Sequence, residues 1–511
     1  MSSPVLAKKP QANPKPTAEP HRYKNYINGQ WVDSSSGKST PNINPANTDD
    51  IIGHAPQSTR DEAKAAIAAA QAAFPAWRNT PAPARGRILA KAVQLSYERK
   101  EEIARMMTRE EGKILTEARG EVQKGINLLE YYAGMSFRVE GRTSPSEMPS
   151  TFVYTIRQPL GVVSCVTPWN FPFCIPAWKT APALVAGNAV VFKAATNTPG
   201  CAELLVKIYE DAGLPKGVLN LVYGSGGTVG DELVNNHSVR AVSFTGSCET
   251  GSQVAKQAAS HLAKVTCEMG GKNPLVVMDD ADLDLAVEGC AQGAFGSTGQ
   301  RCTATSRLIL HKAIAEEFLE KLIDRVKKIK VGDGMQDSVG MGPAVDKAQY
   351  ETDLRYIEIA KKEGCKCLIG GGALTEGKLA KGYFVAPTIF DNVKPGNTLA
   401  QEEVFGPVLA VFRVDDFEEA MEVANNVKFG LTCAIYTGDA NLVMRFTDRI
   451  EAGMVHINSP TVGGEAQLPF GGYKATGYGS REMSDEGLNF FTQLKTVFYD
   501  YTGVKRQTNI Y

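Results

Sequence analysis

The sequence predicts an α/β protein made of two units, each a parallel sheet with crossover helices. From residue 159 short β-branched runs alternate with amphipathic segments, and a second such series begins at NPLVVMDD (273–280). A chain of 511 residues also exceeds what one hydrophobic core usually serves.

The elements can be justified in chain order. STRDEAKAAIAAAQAAF (58–74) sets Thr59 three residues ahead of Glu62, the spacing of a capping box, and predicts a helix. Two further helical stretches follow, at 82–107 and 113–135. TFVYTIRQ (151–158) is strand-like and isolated, and its natural mate is the late strand TQLKTVFYDY (492–501). Free strand edges invite pairing, so these two pieces are assigned to assembly. The first α/β unit then runs through GVVSCVTPW, NAVVFK, VLNLVYG, AVSFTG and GSQVAKQAA. Between NAVVFK and VLNLVYG, Thr198-Pro199 marks a helix start, with Thr as N-cap and Pro at the first helical position. The boundary between units falls near CEMGGKNP, and the second unit runs through 281–297, TSRLILH, AEEFLEKLIDRVKKI, GPVLAVFRVDDFEEAMEVANNV and GMVHINS.

Composition excludes several function classes. Lys plus Arg number 55 against 56 for Asp plus Glu, a formal net charge of -1, so no global field draws the chain to nucleic acid or anionic lipid. The segment MSSPVLAKKPQANPKPTAEP (1–20) lacks the apolar stretch of a secretory signal and reads as a mobile tail. No run approaches the ~18 apolar residues of a membrane span, and the protein is read as soluble and cytoplasmic. Ten cysteines are too dilute for a disulfide scaffold and match no zinc spacing. The close pair Cys365 and Cys367 reads as a turn thiol and a strand thiol, and no metal is expected.

Three residues stand out for chemistry. Cys302 lies in GSTGQRCTA (296–304), a polar, glycine-hinged loop where a thiol gains nothing from burial, and Arg301 adjoins it. A thiolate attacks carbonyl carbon, and cations favour the thiolate. Glu268 ends the β-branched run VTCEMGG, where ligands of α/β units bind and where a partly desolvated carboxylate can act as base. Asn170, set between Trp169 and Phe171 in VTPWNFPF, offers an amide N–H to a developing oxyanion. Each has an ordinary alternative: a loop thiol, a strand-end acid, a turn asparagine. Together they make a nucleophile, a base and an oxyanion donor, a sufficient set for acyl chemistry. Two glycine-rich turns, GSGGTVG (224–230) and FTGSCETG (244–251), follow strands and precede helices. Neither is a standard dinucleotide fingerprint, but both are placed to receive a pyrophosphate.

PWNFP (168–172), KAATNTP (193–199), FTGS (244–247), EMGGKNP (268–274), GQRC (299–302), EEVFGPV (402–408) and PFGGYKATGYG (469–479), in this order, resemble the aldehyde dehydrogenase superfamily. The resemblance implies a Rossmann-like cofactor domain (21–148 and 159–266), an α/β catalytic domain (267–484) and a small β oligomerisation element (149–158 and 485–511). It implies that Cys302 attacks an aldehyde, that Asn170 and the Cys302 N–H hold the oxyanion, and that Glu268 activates water to hydrolyse the thioester. Coenzyme-A-acylating relatives typically lack that glutamate, so a free acid is the expected product.

The resemblance also places the cofactor, NADP or NAD, the redox step being the cofactor's. Lys193 matches a lysine at the adenosine ribose and Glu403 an acid at the nicotinamide ribose, while Trp169, Gly246, Ser247 and Phe405 match dinucleotide-contacting positions. Thr196 stands where NAD-preferring members often carry Glu. It removes a charge that would repel a 2'-phosphate, which tips the expectation toward NADP; the alternative is that Thr196 belongs to the loop capping the helix at Pro199. GAFGSTGQRCTATSR, YYAGM and SREMSDEGLNFFTQLKTVF look similar to dehydrogenases of α-ketoglutaric semialdehyde (2,5-dioxopentanoate). Arg301 or Arg157 then offers a cation to an anionic substrate, the alternative being that either is simply structural. Succinic semialdehyde, or a broad range of neutral aldehydes lined by Phe171, Trp178 and Phe470, is the alternative. A rival of another class is a catalytically silent binding protein on the same fold. The resemblance implies a homodimer or homotetramer.

Overall fold

The computed structural model describes residues 20–504. The expected tail at 1–20 lies, but for its last residue, outside the described residues, as does the end of the segment 485–511.

Four helices precede Val162–Val166, the first parallel strand of the large sheets: α1 (Arg60–Asn79), α2 (Ala82–Glu98), α3 (Lys100–Glu111) and α4 (Leu115–Met135). The capping box at α1 forms as its spacing predicts, Thr59 receiving Asp61 N–H and Glu62 reaching back to the Thr59 N–H at 2.7 Å. The stretch expected as one helix over 82–107 is two helices. Arg99 takes φ -100 and ψ 8, outside the helical well, and its guanidinium is tied to Asp211 at the end of another helix.

The first large sheet has eight strands in the order Gly477–Tyr478, Lys264–Glu268, Val239–Thr245, Val162–Val166, Ala189–Lys193, Leu219–Leu221, Asn25–Ile27, Gln30–Val32. The five from Lys264–Glu268 to Leu219–Leu221 are parallel, and the outer ones antiparallel. Their inward residues are Val, Ala, Leu and Phe buried on both faces, as a parallel sheet covered by helices requires. α5 (Cys174–Ala186) and α6 (Pro199–Asp211) are crossover helices of this sheet. Strand order reverses between Val162–Val166 and Val239–Thr245, which opens a crevice beyond their carboxyl ends.

Pro199 opens α6 as its sequence predicts, but the Thr198 side chain does not cap it. The carboxylate of Glu110, at the end of α3, accepts from Gly200 N–H at 2.6 Å and Cys201 N–H at 3.0 Å. A side-chain cap has been supplied from ninety residues away.

The second sheet has seven strands in the order Lys366–Ile369, Thr388–Asp391, Val408–Val414, Thr305–His311, Asn273–Val277, Thr432–Tyr436, Met454–Ile457, all parallel but the first. The chain passes from one sheet to the other between Glu268 and Asn273. The two isolated strands find each other: Thr151–Pro159 and Thr492–Asp500 pair antiparallel from Thr492 opposite Pro159 to Asp500 opposite Thr151. Phe152, Ile156, Leu494, Phe498 and Tyr499 on this small sheet are exposed. Among the described residues no helix is long and apolar enough to cross a membrane.

Candidate active site

The carboxyl ends of the first sheet and the amino ends of the second meet at EMGGKNP. Glu268 is the last residue of its strand, and Asn273 the first of the next. The two glycines between them are needed for close approach. A methyl group on Gly270 would lie 2.1 Å from a Glu403 carboxylate oxygen, and one on Gly271 would lie 2.4 Å from the Cys302 carbonyl. Gly271 N–H in turn donates to Glu403 at 2.9 Å. Asn273 donates from one amide to the carbonyls of Cys302 and Ala304, both at 2.8 Å. One short motif thus presents Glu268, seats Glu403 and clamps the cysteine loop.

That loop is strained. Ser297, Thr298 and Gly299 have φ of 49°, 60° and 69°, a left-handed run that a β-branched residue adopts only under constraint. The constraints are local. Ser297 N–H donates to Glu117 at 2.8 Å, Thr298 to Gly342 O at 3.0 Å, and Gln300 accepts from Val345 N–H at 2.9 Å. Gly299 is packed so tightly that a methyl there would sit 2.2 Å from Gly406 O. Asn170 donates to Gln300 O at 3.1 Å, which brings its amide beside the segment carrying Cys302. Its own carbonyl accepts from buried Lys113 at 2.7 Å, and Lys113 is neutralised by Glu121 at 2.6 Å.

Cys302 is half-buried. Its thiol is pushed up to about 12, first by burial and then by the negative charges of Glu403 and Glu268, against a smaller opposing pull from Lys124 and the Thr303 backbone. Arg301 does not activate it. The guanidinium bonds Glu117 at 2.9 Å and the Ser297 hydroxyl at 2.8 Å, so the cation expected beside the sulfur, or at the substrate, braces the strained loop instead. Arg157, read as either a substrate cation or a structural residue, donates to Thr492 at 3.0 Å within the small sheet.

Glu268 is buried and its Oε2 has no hydrogen-bond partner among the described residues. Burial raises its pKa well above the ordinary carboxylate range, and the charge of Glu482 raises it further. Glu482 is held by Trp178 Nε1 at 2.7 Å, Ser243 at 2.7 Å and Lys179. Sequence reading did not single out Glu482, Lys179 or Asn273; the first two are some three hundred residues apart and meet only in the fold.

Around the crevice of the first sheet, Trp169 and Phe405 meet edge to face with ring centroids 5.4 Å apart. Phe405 has φ 63°. Lys193 ends its strand, a methyl on Gly230 would lie 3.7 Å from its methylenes, and among the described residues its ammonium reaches only the Ala194 carbonyl at 3.3 Å. With no acid partner among the described residues, burial lowers its pKa to about 8. Half-buried Thr196 makes no side-chain hydrogen bond among the described residues and takes no part in capping α6. In GSGGTVG, methyl groups on Gly226 or Gly227 would meet nothing within 4 Å. Ser247 caps the helix Cys248–Ser260, and Gly246 N–H is bonded to Glu268 O at 3.1 Å. Lys193 ends and Thr196 follows one strand of the first sheet, and Gly246 and Ser247 follow a second, with Trp169 beyond the strand that lies between them, whereas Phe405 and Glu403 reach the same region from the second unit. Phe171 lies under Lys113 at 4.2 Å, and Trp178 stacks tilted on Phe470 at 5.1 Å. All ten cysteines are free.

A model of the aldehyde dehydrogenase family matches residues 31–497. The alpha-ketoglutaric semialdehyde dehydrogenase of Bacillus subtilis (strain 168) is 48% identical over 480 residues, covering 94% of this chain and 98% of that one. Among solved structures, an Escherichia coli NADP-dependent enzyme superposes with TM-score 0.91 at 38% identity, covering 94% and 98% of the two chains. A betaine aldehyde dehydrogenase from Staphylococcus aureus in complex with NAD+ gives 0.92 at 35%, covering 95% and 96%. The fold, the motifs and these likenesses agree: the chain is an oxidoreductase that belongs to the aldehyde dehydrogenase family.

Proposed function

We propose that the protein oxidises α-ketoglutaric semialdehyde to 2-oxoglutarate, with NADP or NAD as acceptor and water as the second substrate. The observation that carries the chemistry is the meeting of Glu268, from the end of one sheet, with the loop of Cys302 before a strand of the other. In this reading Cys302 gives its proton up to solvent water and bonds the aldehyde carbon, the carbonyl π pair moving onto oxygen. The Asn170 amide and the Cys302 backbone N–H stabilise the resulting oxyanion. Glu268, unpaired on one oxygen, takes a proton from water as that water attacks the thioester, and Cys302 leaves as the thiol or thiolate.

The dinucleotide fits the residues present, since a desolvated lysine without an acid partner and an open glycine turn are suited to a phosphorylated ligand. Lys193, Thr196, Gly246, Ser247, Trp169, Phe405 and Glu403 would hold it. When bound it supplies the two-electron acceptor that turns a thiohemiacetal into a thioester. Residues 21–148 and 159–266 are assigned to cofactor binding, 267–484 to catalysis, and 149–158 with 485–511 to a homodimer or homotetramer. The exposed Phe152, Leu494 and Phe498 support the last assignment.

The substrate reading draws on the name of the Bacillus subtilis relative. It is tested with α-ketoglutaric and succinic semialdehydes, butanal and pentanal, each assayed with both cofactors and with or without coenzyme A. The α-ketoglutaric compound is expected to give the highest kcat/KM and to need no thiol acceptor; strict dependence on coenzyme A would overturn the hydrolytic reading. For the cofactor, Thr196→Glu is expected to shift the NADP-to-NAD ratio of kcat/KM toward NAD by about tenfold, the effect of one charge near a half-exposed phosphate. An unchanged ratio would remove Thr196 from the cofactor site.

A further inference from the structure

Among the described residues, one cation on the substrate side of the cysteine loop has no counter-ion. Lys124 lies on the flank of α4 that faces α5. One turn earlier on that flank, Glu121 receives the N–H groups of Phe173 and Cys174, and one residue later a methyl on Gly125 would strike the Phe173 ring at 2.6 Å. The Lys124 side chain is half-buried. Its ammonium stands 5.8 Å from the ring centre of Trp178 and 5.9 Å from that of Phe470, so it caps the aromatic pair. A methyl on Gly464 would lie 3.4 Å from it. No carboxylate or other hydrogen-bond acceptor pairs with it among the described residues.

Apart from Glu268 and Glu403, the two acids whose charges act on Cys302, the acids on the surrounding elements are already committed. Glu121 is taken by Lys113 and two backbone N–H groups, Glu117 by Arg301 and Ser297, Glu482 by Trp178, Ser243 and Lys179, and Glu465 by Gln467. The Arg301 and Lys113 cations are spent in those same pairs and Arg481 donates to the Gly472 carbonyl, which leaves Lys124, among the described residues, as a cation near Cys302 that is free to receive an anion. Its field reaches the sulfur, since Lys124 is the charged group that opposes the acids acting on Cys302.

We propose that Lys124 binds the remote carboxylate of the aldehyde substrate and thereby sets a preference for carboxylated over neutral aldehydes. This rests on the reading of the substrate as an anionic semialdehyde. The aldehyde carbon goes to Cys302, the short methylene chain lies against Trp178 and Phe470, and the carboxylate meets the ammonium in a charge-assisted hydrogen bond. Such a bond both orients the chain and is lost by a neutral aldehyde of equal length.

The test compares wild type, Lys124→Met and Lys124→Arg on α-ketoglutaric and succinic semialdehydes and on their uncharged counterparts pentanal and butanal. Lys124→Met is expected to lose about 10- to 100-fold in kcat/KM on the carboxylated pair, mainly through KM, the value of a hydrogen bond between charged groups. The neutral pair should hold or improve, and Arg should restore most of the loss. A parallel loss on all four substrates would assign Lys124 to the thiol or to packing and overturn the proposal. If wild type favours the carboxylated pair and the Met variant keeps that preference, this proposal falls alone. If wild type favours pentanal and butanal, the semialdehyde reading falls and the Lys124 assignment falls with it.

Discussion

Cys302→Ala is expected to abolish aldehyde oxidation, a fall on the order of 10⁴- to 10⁶-fold in kcat, with dinucleotide binding intact. The size follows from the role. Without the sulfur no covalent adduct forms, and neither the oxyanion donors nor Glu268 has an intermediate to act on. The change removes one atom from a half-buried position, and the loop's anchors at Glu117, Gly342 and Val345 do not involve it. A single-turnover assay should show no burst of reduced cofactor, while fluorescence titration gives an unaltered Kd. Retained turnover would place the nucleophile elsewhere.

Glu268→Gln is expected to separate the two halves of the reaction. The first burst of reduced cofactor survives, and steady turnover falls by about 10²- to 10³-fold, the usual contribution of a general base. Rapid mixing would read both phases. The pH dependence carries a definite sign. Burial, and then the charge of Glu482, hold the Glu268 pKa above the ordinary range, so the active carboxylate form is gained as pH rises. Steady-state kcat in wild type should climb with pH through that ionisation, and the Gln variant should lose the climb. A burst abolished together with turnover would show that Glu268 serves the first half as well.

Much of the fold was legible because its signals are local. The Thr59–Glu62 box, the Pro199 start and the β-branched runs all declare themselves within a few residues. The pairing of 151–159 with 492–500 was legible for another reason: two strand-like pieces stood outside both alternating series. Arg99 shows the limit. At the break between two helices rich in good formers, Arg99 is paired with Asp211, a contact that no window of sequence reveals. Glu110 capping α6 in place of Thr198 is the same lesson, a tertiary contact overriding a local motif. The short edge strands Asn25–Ile27 and Gln30–Val32 are too brief to show a period.

For the site, residue type pointed to Cys302, Glu268 and Asn170, but electrostatics did not follow from adjacency. Arg301 is next to Cys302 in the chain, yet its charge is turned to Glu117; Lys124, nearly two hundred residues away, is the cation whose field is felt at the sulfur. Which charges remain free is decided by who else has been paired, and that is a property of the folded whole.

Glu268 ends a strand of one sheet, Cys302 sits in the loop that leads into a strand of the other, and at this point the chain crosses between the two sheets through the four residues 269–272, two of them glycines. Sliding the two cores past each other by a fraction of an ångström would leave every strand intact and still spoil the alignment of acid, sulfur and bound carbon. Mild heat or dilute urea should therefore silence such an enzyme while its circular dichroism still looks native.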